Sequence, residues 1–308
     1  MDFRSLCSFE SFRSSWSRYG YEGDLQAEVE RQNLYGNPHS HHPSSRLTQD
    51  TVDRVRFRVL QHFNAPPDEY SVIFTSGCTA ALRLVAESFP WRPAAEGEAG
   101  SVFGHLTDSH TSVVGIRGPA CARGAVALPV SPQEVEGRAR RPAGGEGAAA
   151  GRTPHLFSYP AQSNFSGRKY PLGFVRGIQA RRLYPACDHA GRWLVLLDAA
   201  CLVGCSPLDL RDCPADFVPI SFHKMFGFPT GLGALLVRND AAAMLTKSYF
   251  GGGSAAAYLS GEDYYVPAAS VSDRFEDGTV SFLDVIAVNH GFEALHRITG
   301  TRTTLITE

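Results

Sequence analysis

Lys224 is the residue whose position predicts chemistry most directly. It lies between two short apolar runs, residues 217–221 and 233–237, and Gly and Pro residues follow it. Both runs have the length and composition of buried strands, so the lysine falls in a loop at a strand end. In an α/β sheet this edge binds ligands, and a desolvated lysine there is a nucleophile that can form a Schiff base with a carbonyl cofactor. The alternative is a surface lysine in a connecting loop.

Asp198 is a second candidate. It directly follows residues 193–197, the plainest buried strand in the sequence. A carboxylate at the carboxyl end of a central strand is costly to bury unless a cation or a hydrogen-bond donor meets it. Asp198 is therefore predicted either to bind a cationic group or to cap the helix or turn that follows.

A small-residue loop at 75–79 predicts an anion site. Residues 70–74 before it have the pattern of a strand, and residues 80–89 after it have the pattern of a helix. The backbone N–H groups of the first helical turn, with the hydroxyls of Ser76 and Thr79, would hold a phosphate. Any βα unit offers this geometry, so the motif is unspecific on its own.

Two more loops carry polar side chains. His110 lies in residues 107–112, between the two low-complexity segments, where a lone histidine is most often a polar loop residue. A turn at 160–167 follows the strand predicted at 155–159. It offers the hydrogen-bonding groups of Gln162, Ser163 and Asn164.

Composition sets the class of protein. The 308 residues predict one large domain or two ordinary ones, and a hydrophobic content of 43% allows a substantial core. A formal net charge of -2 gives no reason to expect a nucleic-acid partner. The sequence has no apolar span of membrane length and no signal peptide at its start. We therefore expect no membrane partner and a cytoplasmic location.

The cysteines and histidines do not predict a metal. The seven cysteines are an odd number, for which reduced thiols are the default, and Cys201, Cys205 and Cys213 lack the paired spacing of zinc sites. The histidines of residues 39–42 lie between prolines without an acidic or cysteine partner, which favours a polar loop over a metal site.

The remaining segments divide the chain. A helical rhythm over residues 47–63 predicts a helix with Thr48 as its N-cap. Residues 92–100 and 131–152 are rich in Ala, Gly, Pro, Glu and Arg without an apolar period, and are predicted to be flexible surface insertions.

The candidates combine into one chemistry. A nucleophilic lysine, an acid for a pyridinium nitrogen, a phosphate-binding helix start and a ring-stacking histidine are the groups that pyridoxal phosphate (PLP) needs. Five ordered motifs also resemble the class V aminotransferase fold, and within it the amino-terminal NifS-like domain of eukaryotic molybdenum cofactor sulfurases. They are NLYGNPHS (33–40), IFTSGCTAAL (73–82), TDSHTSVV (107–114), YPAQSNFSG (159–167) and ISFHKMFGFPTG (220–231). YFGGG (249–253) and RFEDGTVSFLD (274–284) extend the resemblance.

The resemblance implies a fold and a domain plan. The fold is the α/β, PLP-dependent transferase fold type I, whose large domain has a mostly parallel sheet, and the small domain is expected to be missing. Residues 33–300 form the PLP-binding domain, interrupted by the two inserts. Residues 1–32 and 301–308 diverge from the family pattern.

The resemblance also implies roles for the ring-binding residues. Lys224 matches the lysine that forms the Schiff base with PLP, and Asp198 matches the partner of the pyridine nitrogen. His110 falls where the family stacks an imidazole on the ring, and Asn164 where it hydrogen-bonds the phenolic oxygen. Cys201 replaces a glutamine that plain cysteine desulfurases commonly place near that oxygen, and a thiol is the poorer hydrogen-bonding partner.

The resemblance also implies which residues contact the phosphate of PLP. The resemblance places the phosphate loop on Ser76, Gly77, Cys78 and Thr79. Further phosphate and ring contacts fall just before the lysine, on Ser221 and His223. Thr279 matches a residue that reaches the phosphate of the neighbouring subunit, which implies a homodimer with shared active sites.

The implied activity is sulfur transfer. The family takes sulfur from L-cysteine, releasing L-alanine, and passes it to the molybdenum cofactor, which activates xanthine dehydrogenase and aldehyde oxidase. The family's persulfide cysteine and substrate-binding arginine lie beyond the point where this sequence stops, as does the cofactor-binding domain. Two alternatives therefore remain: a truncated, non-catalytic chain that acts at most as an interaction partner, and an enzyme similar to cysteine desulfurase or selenocysteine lyase.

Overall fold

A seven-stranded sheet forms the centre of the fold. The computed structural model describes residues 35–96, 99–137 and 152–299. The predictions for residues 1–32, 301–308 and most of the insert at 131–152 therefore lie outside the described residues. The strands are β1 (Tyr70–Thr75), β2 (Val102–Leu106), β3 (Val126–Val130), β4 (Pro154–Pro160), β5 (Arg192–Asp198), β6 (Phe217–Ser221) and β7 (Gly233–Arg238).

The sheet is mostly parallel, as predicted. Its strand order is β1-β7-β6-β5-β4-β2-β3, and only β7 runs antiparallel to its neighbours. The carboxyl ends of the other six strands consequently meet at one edge, which is where ligands bind in open α/β sheets.

Helices cover the sheet. They are α1 (Pro43–His62), α2 (Cys78–Ser88), α3 (Thr111–Val114), α4 (Arg117–Ala122), α5 (Pro132–Gly137), α6 (Phe174–Gln179), α7 (Phe222–Phe226), α8 (Asn239–Ala242), α9 (Val271–Phe275) and α10 (Phe282–Thr299). A separate hairpin comprises β8 (Ala255–Leu259) and β9 (Tyr264–Pro267). Within the described ranges, no helix is both long and apolar enough to cross a lipid bilayer.

The core has two layers, one on each face of the sheet. Along β5, Val195 and Leu197 pack into one layer, and Leu194 and Leu196 pack into the other. Successive side chains of a strand point to opposite faces, so a strand covered on both sides is apolar throughout. This explains why the apolar run at 193–197 predicted its strand so clearly.

Two sequence predictions were wrong in detail. Helix α1 begins at Pro43, and Thr48 lies inside it, where its hydroxyl donates to the carbonyl oxygens of Gly36 and Ser44 at 2.8 and 2.9 Å. Proline suits the first helical turn because its missing N–H would have no partner there. The insert at 131–152 is not wholly without structure, since α5 forms within it.

Helix α5 has a specific start signal. The N–H of Ser131 donates to the carboxylate of Glu134 at 2.7 Å, and the N–H of Glu134 donates to the Ser131 hydroxyl at 3.3 Å. This reciprocal pair is a capping box, and it stabilises a helix that composition alone did not predict.

Candidate active site

A cavity of about 310 Å³ opens at the carboxyl edge of the sheet. Loops after several strands form it, as the topology requires. Eleven of the twelve predicted site residues line it, namely Ser76, Gly77, Cys78, Thr79, His110, Asn164, Asp198, Cys201, Ser221, His223 and Lys224. Its other lining residues are Leu82, Gln162, Ala200 and Gly231.

Lys224 lies in α7, which follows β6 without a break. Its Nζ donates to Asn164 Oδ1 at 2.9 Å and lies 3.7 Å from Cys201 Sγ. The lysine backbone is closely packed, because a Cβ added to Gly204 would come within 2.5 Å of the Lys224 carbonyl oxygen. The side chain is exposed, so the expected desolvation is not found; the cavity is open to solvent on this side.

Asp198 is the buried charge of the site. Only 7% of the residue is exposed, and its carboxylate accepts a hydrogen bond from the N–H of Ala200 at 3.2 Å. Burial raises its pKa, while the Ala200 N–H and the nearby Lys224 and His110 partly oppose that rise. A cation brought into the cavity would therefore be stabilised by Asp198.

The loop before α2 has the geometry of an anion site. Gly77 has φ of +99°, and this residue offers no side chain to cap the helix, so the first-turn N–H groups face the loop. Thr79 Oγ1 lies 2.9 Å from Ser112 Oγ. Helix α2 begins at Cys78, two residues before its predicted start, which places Cys78 and Thr79 in its first turn.

Gly233, the first residue of β7, was missed by the sequence analysis. A Cβ at this position would come within 2.7 Å of Gly77 C and of Ile220 O, and 2.8 Å from Cys78 N. Strand β7 thus lies directly against the predicted anion-binding loop at residues 75–79, here called the anion loop, and only glycine fits at position 233. A glycine opening a strand is the sequence signal that indicates such close backbone approach.

The rest of the cavity wall is polar. His110 is the N-cap of α3, where its Nδ1 accepts from the N–H of Ser112 at 3.1 Å. Ser221 Oγ and His223 Nδ1 lie 2.9 Å apart. Cys201 Sγ donates to Asn164 Oδ1 at 3.2 Å. Together with Lys224, these groups offer donors and a potential nucleophile around one space.

Thr279 is the one predicted site residue that the structure does not bring to the cavity. It is exposed and follows Glu276, a buried carboxylate that accepts two hydrogen bonds of 2.6 Å from Arg56. The predicted role of Thr279 toward a neighbouring subunit stays a prediction. Within the described part of the chain, no group of three or more His, Cys, Asp or Glu side chains has the arrangement of a metal site.

Comparison with known proteins gives the family. The sequence pattern of "Aminotransferase class-V" matches residues 25–304. A molybdenum cofactor sulfurase of Danio rerio is 56% identical over 99% of this chain, and those of Homo sapiens and Arabidopsis thaliana are 56% and 40% identical over 87%. The chain spans 40%, 30% and 35% of the length of these three relatives.

Solved structures with the same fold include two enzymes of sulfur chemistry. One is the cystine C-S lyase C-DES in complex with cysteine persulfide, with a TM-score of 0.66 and 21% identity over 90% of this chain and 68% of that one. The other is a cysteine desulfurase from Thermococcus onnurineus, with a TM-score of 0.68 and 20% identity over 89% of this chain and 64% of that one. The chain described here belongs to the class-V aminotransferase family.

Proposed function

We propose that this chain carries the PLP site of a molybdenum cofactor sulfurase, which takes sulfur from L-cysteine, releases L-alanine and passes the sulfur to the molybdenum cofactor. The observation that carries the proposal is the convergence of Lys224, Asp198 and the anion loop on one cavity. Identity of 56% to a named sulfurase over 99% of the chain supports this substrate class.

The residues present fit PLP. The buried Asp198 needs a cationic partner, which a protonated pyridine nitrogen supplies. The anion loop offers first-turn N–H groups and hydroxyls to a phosphate, and the close approach of Gly233 leaves that loop no room to shift toward β7. The cavity volume lies at the lower end of the range for small-molecule sites.

Each side chain then has a distinct task. When bound, PLP supplies an electron sink that labilises bonds of an attached amino acid. Lys224 holds the cofactor through its amine, and Asp198 keeps the proton on the pyridine nitrogen. Asn164 would donate to the phenolic oxygen through its side-chain amide N–H, from its position in the cavity lining. His110, which lines the cavity, would provide the imidazole for ring stacking.

The wider assignments rest on the family. We expect a cytoplasmic homodimer in which Thr279 of one subunit completes the phosphate site of the other. Activation of xanthine dehydrogenase and aldehyde oxidase belongs to the same proposal. The exposed position of Thr279, outside its own cavity, supports the shared site.

A plain cysteine desulfurase or lyase is the second candidate. The C-DES lyase and a cysteine desulfurase share the fold of this chain, so the fold is compatible with this candidate too. The two candidates differ in the sulfur acceptor, so transfer of labelled sulfur from L-cysteine to molybdenum cofactor separates them. A chain that binds PLP but releases no alanine would be the non-catalytic alternative.

The first test is titration of the purified chain with PLP, followed by L-cysteine. Wild-type protein is expected to develop the visible absorbance of lysine-bound cofactor, and L-cysteine is expected to change it. Lys224→Ala should abolish that absorbance without unfolding the chain. Lys169→Ala is the matched control, since Lys169 donates to Ser206 outside the cavity lining. Equal absorbance in wild type and Lys224→Ala would refute the lysine assignment.

A further inference from the structure

Asp108 is a hydrogen-bonding centre beside the cavity, in a neighbouring pocket that shares His110 and Asn164 with it. Its Oδ1 accepts from Ser163 Oγ at 2.8 Å, and its Oδ2 accepts from Ser166 Oγ at 2.9 Å and from the Tyr170 hydroxyl at 2.8 Å. All three donors belong to a segment 55 to 62 residues away in sequence. The roles proposed above do not use this carboxylate.

The bonds of Asp108 join two loops of the active site. Asp108 lies two residues before His110 in the loop after β2, while Ser163 and Ser166 flank Asn164 in the turn after β4. Strands β2 and β4 are adjacent and parallel, so their carboxyl-end loops meet at the same edge. Asp108 therefore ties the loop of the stacking histidine to the turn of the ring-binding asparagine.

The turn depends on hydrogen bonds because it has little apolar anchorage. Residues 164–167 are all exposed, and Phe165 is 97% exposed. Ser163 is buried and sets the shape of the turn, since its Oγ accepts from the N–H of Phe165 at 3.3 Å and of Ser166 at 3.2 Å. The serine hydroxyls then fasten the turn to Asp108.

These hydrogen bonds involve an ionised acceptor. Partial burial acts to raise the pKa of Asp108, but the hydroxyls of Tyr170, Ser163 and Ser166, together with the charge of Arg168, outweigh it and the pKa is lowered. Hydrogen bonds to an ionised carboxylate are stronger than those between neutral groups. The link is thus present throughout the neutral pH range.

We propose that Asp108 is a positioning residue that fixes Asn164 relative to His110 for contact with the cofactor ring. This inference rests on the proposed PLP site. Asn164 bonds Lys224 at 2.9 Å and is expected to bond the phenolic oxygen of PLP. A turn released from Asp108 would misplace the asparagine while leaving the lysine, the anion loop and Asp198 intact.

The test is Asp108→Ala, read by PLP titration. Loss of the charge-assisted bonds is expected to raise the PLP dissociation constant about tenfold. It should also move the visible absorbance of the lysine-bound cofactor, because the group facing the phenolic oxygen changes. The spectral change is a readout that a purely structural defect would not produce.

Asp209→Ala is the matched control. Asp209 also joins distant segments, accepting from Asn64 Nδ2 at 2.8 Å and from the N–H of Arg211 at 2.8 Å, and it does not line the cavity. Burial acts to raise its pKa, but hydrogen bonds from the Asn64 amide and from the N–H groups of Asp212 and Arg211 lower it. This variant should match Asp108→Ala in thermal stability while binding PLP as wild type does.

A double variant tests whether Asp108 affects PLP binding through Asn164. If Asp108 acts through Asn164, then Asn164→Ala with Asp108→Ala should bind PLP within about twofold of Asn164→Ala alone. The inference would be overturned if Asp108→Ala bound PLP with the affinity and spectrum of wild type. It would also be overturned if the losses of PLP affinity in the two single variants multiplied in the double variant. Either result would leave the PLP site in place. Wild-type protein that forms no Lys224-dependent absorbance would overturn the proposed function and this inference together.

Discussion

Two carboxylates, Asp198 and Asp216, are almost equally buried but have opposite surroundings. They are 7% and 5% exposed, and burial raises the pKa of both, that of Asp216 to about 6. Asp216 Oδ2 accepts from Gln179 Nε2 at 2.9 Å and from the N–H of Val195 at 2.7 Å. Asp198 Oδ1 accepts one backbone hydrogen bond, from the N–H of Ala200 at 3.2 Å, and a long one from Cys78 Sγ at 3.9 Å, and the residue lines the cavity.

The contrast separates a structural carboxylate from a binding one. Asp216 precedes β6 and its donors come from the fold itself, so it bonds β5 to α6. Asp198 ends β5 at the opposite edge of the sheet and retains acceptor capacity toward the cavity. Burial and a raised pKa are common to both residues and do not distinguish them. Their positions do, because Asp198 lines the cavity and Asp216 does not.

The strongest test of this contrast is Asp198→Ala. Removing the partner of a buried cation is expected to raise the PLP dissociation constant about 100-fold. The unfolding free energy of the cofactor-free chain should change by no more than about 1 kcal/mol, because the lost hydrogen bonds are only that of the Ala200 N–H and the long one of the Cys78 thiol, and a buried charge is relieved. Spectroscopic titration and thermal unfolding measure the two quantities. A large stability loss without an affinity loss would place Asp198 in the structural class.

Asp216→Ala should give the reverse result. The N–H of Val195 and the amide of Gln179 lose their acceptor inside the fold, which is expected to cost about 2 kcal/mol or more of unfolding free energy. PLP affinity should stay within about twofold of wild type, since Asp216 does not line the cavity. An affinity loss as large as that of Asp198→Ala would remove the distinction.

The pH dependence of stability sharpens the assignment of Asp216. Its pKa is about 6 in the folded chain and 3.8 ordinarily, so the folded state binds this proton more tightly than the unfolded state. The resulting stabilisation is full below about pH 4 and is lost as the pH rises to about 6. The difference in unfolding temperature between wild type and Asp216→Ala should therefore be larger near pH 4 than near pH 7. A constant difference would contradict the raised pKa.

The backbone contact of Gly233 with the anion loop gives a further test of the binding site, with a smaller expected effect on PLP affinity. An alanine Cβ at Gly233 would come within 2.8 Å of the Cys78 nitrogen, so Gly233→Ala must displace the anion loop. The PLP dissociation constant is expected to rise about tenfold. Gly118→Ala in α4 is the control, since a Cβ there meets no atom within 4 Å. Unchanged PLP affinity in Gly233→Ala would show that the loop adapts.

Local sequence predicted the positions of strands more reliably than the limits of helices. Apolar runs placed β5, β6 and β7 because strands buried on both faces leave an unbroken pattern. Helix α1 was placed four residues late because Pro43 was interpreted as part of a loop, although proline suits a first helical turn. Helix α5 was missed because its capping box lies in a segment of low-complexity composition.

The sequence by itself determined the order of the motifs, eleven cavity residues, and the limits of β1, β4, β5, β6 and β7 to within one residue. Each of these follows from patterns within about ten residues, or from ordered motifs that resemble a family. The tertiary structure decided what depends on contacts between distant segments. Examples are the carboxylate of Asp108 accepting from Ser163, the close approach of Gly233 to Gly77, and the exposure of Lys224. No local pattern encodes such contacts, because they arise only when the parallel strands bring their loops to one edge.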